Sequence, residues 1–248
     1  MKIVFFGAST FSNLVLPYLK DFEIELVVDE NTSLDSINNT KSEVAVLAAF
    51  GKKLPKSVLE HFKYGILNIH PSLLPKYRGP SPVQTAILNA DKETGVTIIK
   101  LDEKIDHGPI LAQEKVEIKN NDTAQSLYER LFEIGSDLIY QNIKQYIKGN
   151  LKLTAQNHKK ATFTKVLTRN DGYFDLNNPP SPEKLDLMIR AYYPWPGAWT
   201  KFRIQNSELR IKFLPGKKVQ VEGKNPVSYK DFINGYPNLD KQLLSLLK

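Results

Sequence analysis

The 248-residue chain contains no cysteine, which excludes disulfides and thiolate-bound metals. Its histidines are few, at 61, 70, 107 and 158. They are too scattered along the chain to read as a structural metal centre, and no metal is expected. No run of 18 apolar residues occurs, so no membrane-spanning helix is expected. Met1 to Gly7 is a short apolar stretch that turns polar too soon for a secretion signal, and a cytoplasmic protein is expected. Neither G-x-G-x-x-G nor G-x-x-x-x-G-K-[ST] is present, which removes the dinucleotide fingerprint and the P-loop. There is no internal repeat and no low-complexity tract.

What is present is an ordinary globular composition, 41% hydrophobic and 25% charged, in a chain long enough for one full core and a small second domain. The net charge of +7 is unevenly placed. Residues 1–150 hold 17 Lys and Arg against 19 Asp and Glu, whereas residues 151–248 hold 17 against 8. A basic C-terminal segment is either a solubilising surface or a surface that meets polyanion.

Residues 1–150 alternate strand-like and helix-like segments, the pattern of an α/β protein with an open, mostly parallel sheet and helices on both faces. Strands are predicted at Lys2–Phe6, Glu25–Val28, Val44–Ala49, Gly65–Ile69, Gly95–Lys100 and Ile110–Ile118. Helices are predicted at Thr10–Lys20, Pro55–Phe62, Ser81–Asn89 and Thr123–Lys148. Beyond residue 150 the character changes. Asn178 to Pro182 reads as a loop, Pro182–Ala191 as a short helix, and Tyr193 to Trp199 as a rigid aromatic turn. Strand-like pieces follow near Thr200–Ile204, Leu209–Phe213 and Val219–Glu222. The expected organisation is a catalytic domain over residues 1–160, a linker with a connecting helix over 161–192, and a small basic β-rich domain over 193–248.

The segment Asn68-Ile69-His70-Pro71-Ser72-Leu73-Leu74-Pro75 carries the chemistry. Strand alternation puts Asn68 and His70 on one face at the strand end, and Pro71 stops the strand. An amide beside an imidazole suits a reaction that builds negative charge on a carbonyl oxygen while a proton moves. Asp106-His107-Gly108-Pro109 is a second cluster. Its carboxylate could orient His70, or the segment could be an Asx-type turn; His107 is given no role. Phe50-Gly51-Lys52-Lys53-Leu54 could grip a flat heteroaromatic ring or be a plain strand-to-helix loop. Gly7 to Ser12 could offer N–H groups to an anion or be an ordinary capped turn.

Taken together, Asn68 to Pro75 with the spaced Asp106 and Gly108 resemble the signature of formyltransferases that use 10-formyltetrahydrofolate. Tyr77 to Gln84, Glu93 to Thr97, Ala161-Thr162-Phe163 with Lys165, Asp171-Gly172 and Pro194 to Ala198 narrow the resemblance to the methionyl-tRNA formyltransferase family. Glu222 to Ser228, Asp231-Phe232 and Asn234-Gly235 extend it to nearly the whole chain. The resemblance implies a Rossmann-like catalytic fold with a reduced OB-like C-terminal domain, and formyl transfer from the folate to initiator methionyl-tRNA. It implies Asn68, His70 and Asp106 as the catalytic trio. It places the folate against Phe50, Gly51, Lys52, Lys53 and Leu54, and against the loop carrying Asp102 and Glu103. On the acceptor side it places Ser72, Leu73, Leu74, Pro75, Arg78 and Gly79, with Arg78, Lys212, Lys217, Lys218 and Lys224 as candidates for tRNA phosphates. Ser72 shapes the turn, because no base is paired with it. A monomer that binds no membrane is expected.

Two departures qualify the resemblance. Only Asp29–Glu43 separates Val28 from Val44, where the tRNA-acting family carries a longer stretch with a basic loop, and the C-terminal domain is short between Phe213 and Val219. These departures keep a nucleotide-amino-sugar N-formyltransferase as the alternative. A third reading, an RNA-binding relative without transfer activity, is opposed by the intact trio.

Overall fold

The computed structural model describes every residue except Ala8, Gln205, Asn206, Pro237, Asn238, Asp240 and Lys248, and omits the side chain of Ile204. The chain divides into two compact units: residues 1–83, 92–118 and 127–165 form the first, and 84–91, 119–126 and 166–248 the second.

The first unit is built on a six-stranded sheet. Its strands are β1 (Lys2–Phe6), β2 (Glu23–Val28), β3 (Val44–Ala48), β4 (Gly65–His70), β5 (Glu93–Lys100) and β6 (Ile110–Glu117), in the order β2-β1-β3-β4-β5-β6. The first four run parallel. β5 pairs antiparallel with β4, and β6 with β5. β3 and β4 are buried along their whole length, which is why they read as continuous apolar runs instead of alternating ones. The strand order reverses between β1 and β3, the place where open α/β sheets leave a crevice beyond their carboxyl ends. Phe50 to Leu54 follow β3 at that edge, and His70 ends β4 there.

Three helices of the first stretch follow the expected positions: α2 (Lys56–His61), α3 (Pro82–Leu88) and α4 (Ala124–Ile147). The helix expected over Thr10–Lys20 is not continuous. It splits into α1 (Thr10–Asn13) and a 3-10 turn, Leu16–Leu19. Pro17 is the reason: it has no N–H to donate, and its ring clashes with the carbonyl one turn back. Asp29 to Thr32 closes on itself. Asp29 Oδ1 accepts from the N–H groups of Asn31 and Thr32, both at 2.9 Å, and from the Thr32 hydroxyl at 2.7 Å. A 3-10 turn, Leu34–Asn39, then leads to β3. The short segment is therefore a compact connection.

In the second unit α5 (Pro182–Tyr192) starts at Ser181, whose hydroxyl caps Lys184 N. An antiparallel meander follows: β7 (Ala198–Ile204), β8 (Ser207–Leu214), β9 (Lys218–Val221) and β10 (Val227–Ser228). Alternation sorts its faces. Phe202, Ile211, Phe213, Val219 and Val221 point into a core shared with Leu185, Met188, Ile189 and Tyr192 of α5. Lys201, Arg203, Arg210, Lys212 and Lys218 fall on the alternate positions. Two helices absent from the sequence reading, α6 (Tyr229–Gly235) and α7 (Lys241–Leu246), add Phe232 and Leu243 to that core. The turn between α5 and β7 contains two cis prolyl bonds, Tyr193–Pro194 and Trp195–Pro196. Among the described residues no helix is long and apolar enough to cross a membrane.

Candidate active site

Asn68 and His70 lie on β4, two residues apart and hence on one face, about 6.5–7 Å apart along the strand. Both are nearly enclosed, at 7% and 4% exposure. Among the described residues the Asn68 side-chain amide finds no hydrogen-bond partner. An amide without a partner is free to bond an incoming ligand oxygen. The imidazole of His70 is fixed from one side. Nε2 lies 3.0 Å from the carbonyl of Tyr77. A carbonyl only accepts, so Nε2 carries a proton. Nδ1 then faces Asp106 Oδ1 at 3.6 Å. That distance lies outside directional hydrogen bonding but is short enough for strong charge coupling where water is scarce.

Asp106 is held from two directions. Its Oδ2 accepts the backbone N–H of Gly79 at 2.7 Å, and its backbone has the left-handed φ of +47°, which costs a non-glycine residue about 1–2 kcal/mol. Gly108 beyond it allows no side chain, because a Cβ there would come 1.8 Å from the Lys100 carbonyl oxygen. Gly79 is equally constrained, with φ of +108° and Thr164 against it. The spaced Asp-x-Gly is therefore both a tight turn and the support of the carboxylate. The two readings of that cluster are compatible.

The loop after β4 is pinned by residues of the neighbouring strands. Thr97 donates to the Ser72 carbonyl at 2.6 Å and accepts from Leu74 N at 3.1 Å. Gln113 Nε2 reaches the Leu74 carbonyl at 3.0 Å and the Thr97 hydroxyl at 2.7 Å. The Ser72 hydroxyl itself donates to the Lys76 carbonyl at 2.6 Å, which fits the role of a turn residue. Leu73 packs at Gly95, Leu74 is buried, and the Pro75 carbonyl accepts from Thr162 N at 3.2 Å.

Arg78 corrects an expectation. A phosphate contact requires an accessible guanidinium, but Arg78 is only 3% exposed. Its Nε and Nη2 donate to Gln156 Oε1 at 3.2 and 2.6 Å, and Nη2 donates to His158 Nδ1 at 2.8 Å. Burial pushes its pKa down, while the carboxylates of Asp106 and Asp102 act the other way. Gln156, Tyr77, Thr97, Gln113 and His158 are given no role by the sequence. Four of them act through long-range contacts that spacing does not reveal, and Tyr77 acts through a backbone atom. The imidazole of His158 stacks on that of His107, with centroids 4.0 Å apart, and His107 donates to Asp102 at 2.6 Å. Desolvation, then the neighbouring His107 and Arg78, lower the His158 pKa, in keeping with a neutral ring that accepts from Arg78.

At the crevice edge, Phe50 lies edge-on to Phe6 at 5.6 Å. Leu54 is buried with Val4, Phe6 and Ile66, whereas Gly51, Lys52 and Lys53 are exposed. Glu103 pairs with Lys56 at 3.3 Å, and Asp102 also accepts from Lys104 N at 2.9 Å. Ser9 and Ser12 form a reciprocal capping box at the start of α1, which is the ordinary capped turn; Ala8 lies outside the described residues. Lys212, Lys217, Lys218 and Lys224 all belong to the second unit. Lys212 lies along Gly197, and Lys224 Nζ donates to the Tyr236 hydroxyl at 2.8 Å.

A protein-family model described as formyl transferase matches residues 19–143, half of the chain. The chain belongs to the formyl transferase family. Among relatives of this chain, the methionyl-tRNA formyltransferase of Roseiflexus sp. (strain RS-1) is 48% identical over 163 residues, covering 66% of this chain and 50% of the relative. That of Carboxydothermus hydrogenoformans is 41% identical over 198 residues, covering 79% and 62%. The chain thus spans about half to three-fifths of the length of the curated relatives it matches. Among solved structures, HypX from Aquifex aeolicus in complex with tetrahydrofolic acid aligns with a TM-score of 0.74 at 16% identity, over 96% of this chain and 48% of HypX. A sugar N-formyltransferase from Shewanella sp. aligns at 0.67 and 20% identity, over 87% and 98%. At such identities the chain shares the fold with both.

Proposed function

We propose that this chain transfers the formyl group of 10-formyltetrahydrofolate to the amino group of methionyl-initiator tRNA, releasing tetrahydrofolate. The observation that carries the reading is the unpartnered Asn68 amide beside a His70 whose Nδ1 faces Asp106, in a chain whose relatives are methionyl-tRNA formyltransferases. Both folate and tRNA are substrates here. Residues 1–160 would supply the chemistry and residues 193–248 the basic surface.

The amine nitrogen attacks the formyl carbon and the carbonyl π-electrons move onto oxygen. Asn68 donates to that oxygen as its charge grows. The carbon–N10 bond then breaks as the C=O re-forms, and the proton lost by the amine ends on N10. His70 carries that proton through Nδ1, because Nε2 is committed to the Tyr77 carbonyl. Asp106 stabilises the ring while it holds the extra charge. The folate would lie against Phe50 to Leu54 and the Asp102–Asp106 loop. The Asn68 donor, with no partner among the described residues, fits a carbonyl ligand at this place.

The compact Asp29 to Thr32 turn favours a second reading, transfer to a nucleotide amino sugar. Salt separates the two. Contacts from Lys212, Lys217, Lys218 and Lys224 to four phosphates would give a log–log slope of about −2.8 to −3.6, a loss of about 50- to 150-fold in tRNA affinity between 50 and 200 mM salt. Filter binding or anisotropy with initiator tRNA reads this slope. Weak, salt-insensitive tRNA binding alongside tight binding of a sugar nucleotide would favour the second reading.

A further inference from the structure

We propose that Gln156 is a positioning residue for formyl transfer, fastening the left-handed backbone at Asp106 and thereby setting where its carboxylate stands beside His70. The inference rests on the reading of His70 and Asp106 as the reaction centre. Gln156 is itself buried. Its Nε2 donates to the Asp106 carbonyl at 2.9 Å and to the Gly108 carbonyl at 2.7 Å. Its Oε1 accepts both Nε and Nη2 of Arg78. Since guanidinium only donates and carbonyls only accept, the amide can face one way alone.

These bonds close a ring. Arg78 precedes Gly79, and the Gly79 N–H holds Asp106 Oδ2 at 2.7 Å. The far side of the same turn is held through Gln156 to the Arg78 side chain. Asp106 is thus gripped at its carboxylate by Gly79 directly and at its carbonyl by Gln156, which the preceding residue, Arg78, holds in turn. That loop is itself tied down, because Arg78 N donates to the Thr162 carbonyl at 2.9 Å and Thr164 N to the Arg78 carbonyl at 2.7 Å. Without the tether, the left-handed φ of Asp106 could relax. Its Cα–Cβ bond would then rotate, swinging the carboxylate away from a His70 Nδ1 already 3.6 Å distant.

The test uses Gln156→Glu, which keeps the size and the Arg78 partner but presents only acceptors to two carbonyls. A displacement near 1 Å at a reacting group costs up to about 10²-fold, so kcat should fall about 10- to 100-fold with both KM values within about threefold. The Gly79 amide proton, shifted downfield by its carboxylate acceptor, should move upfield in the same variant. Should Gln156→Glu fail to fold, Gln156→Asn keeps both groups one methylene short and should show the same pattern at smaller amplitude. A folded variant with kcat within twofold of wild type overturns the proposal, as does lost kcat with an unmoved Gly79 amide. Asp106→Asn provides the control: wild-type transfer by that variant would sink the catalytic reading of Asp106, while the Gly79 resonance would still report whether Gln156 places it.

Discussion

His70→Ala is expected to lower formyl transfer by about 10²–10⁴-fold, the usual contribution of a positioned acid–base group, while the protein remains folded. The ring at the end of β4 is 4% exposed, and among the described residues it bonds the Tyr77 carbonyl. Removing it takes that hydrogen bond away and leaves a cavity behind, a cost of about 1–3 kcal/mol, insufficient to melt a sheet whose centre is fully buried. Because Nε2 is held, the proton that His70 exchanges with substrates passes through the Nδ1 edge. Single-turnover formylation together with circular dichroism checks both halves. A folded His70→Ala enzyme with near-normal turnover would remove His70 from the mechanism.

Asn68→Ala is expected to cost about 10²–10³-fold in kcat, as for loss of one oxyanion donor, with KM almost unchanged because the bond strengthens only as charge develops. The distinguishing feature is stability. The Asn68 amide has no hydrogen-bond partner among the described residues, so its removal breaks no hydrogen bond there. The variant should melt within a few degrees of wild type. A variant that is both less stable and equally slow would mean that Asn68 serves the fold and only indirectly the reaction.

Much of this candidate site is legible in the sequence. Strand periodicity put Asn68 and His70 on one face, and the continuous apolar runs of β3 and β4 marked the centre of the sheet. The missing parts share a physical cause. Tyr77 and Gly79 act through backbone atoms, which side-chain patterns do not advertise, and Gln156 lies 50 residues from the turn it holds. Arg78 misled for a related reason: a cation reads as exposed until its acceptors, Gln156 and His158, are located. In the first helix the apolar spacing outweighed Pro17, although the proline decided the structure. In the second unit, α6 and α7 are only seven and six residues long, too short for periodicity to declare them, though the Ser228 cap of α6 was a visible signal.

The most direct test is formylation itself. The protein is incubated with 10-formyltetrahydrofolate and methionine-charged initiator tRNA, and the aminoacyl group is released and identified. Formyl-methionine should form with multiple turnovers, and His70→Ala should abolish it. No formyl-methionine from charged tRNA, with an amino-sugar nucleotide formylated under the same conditions, would contradict the acceptor assigned here.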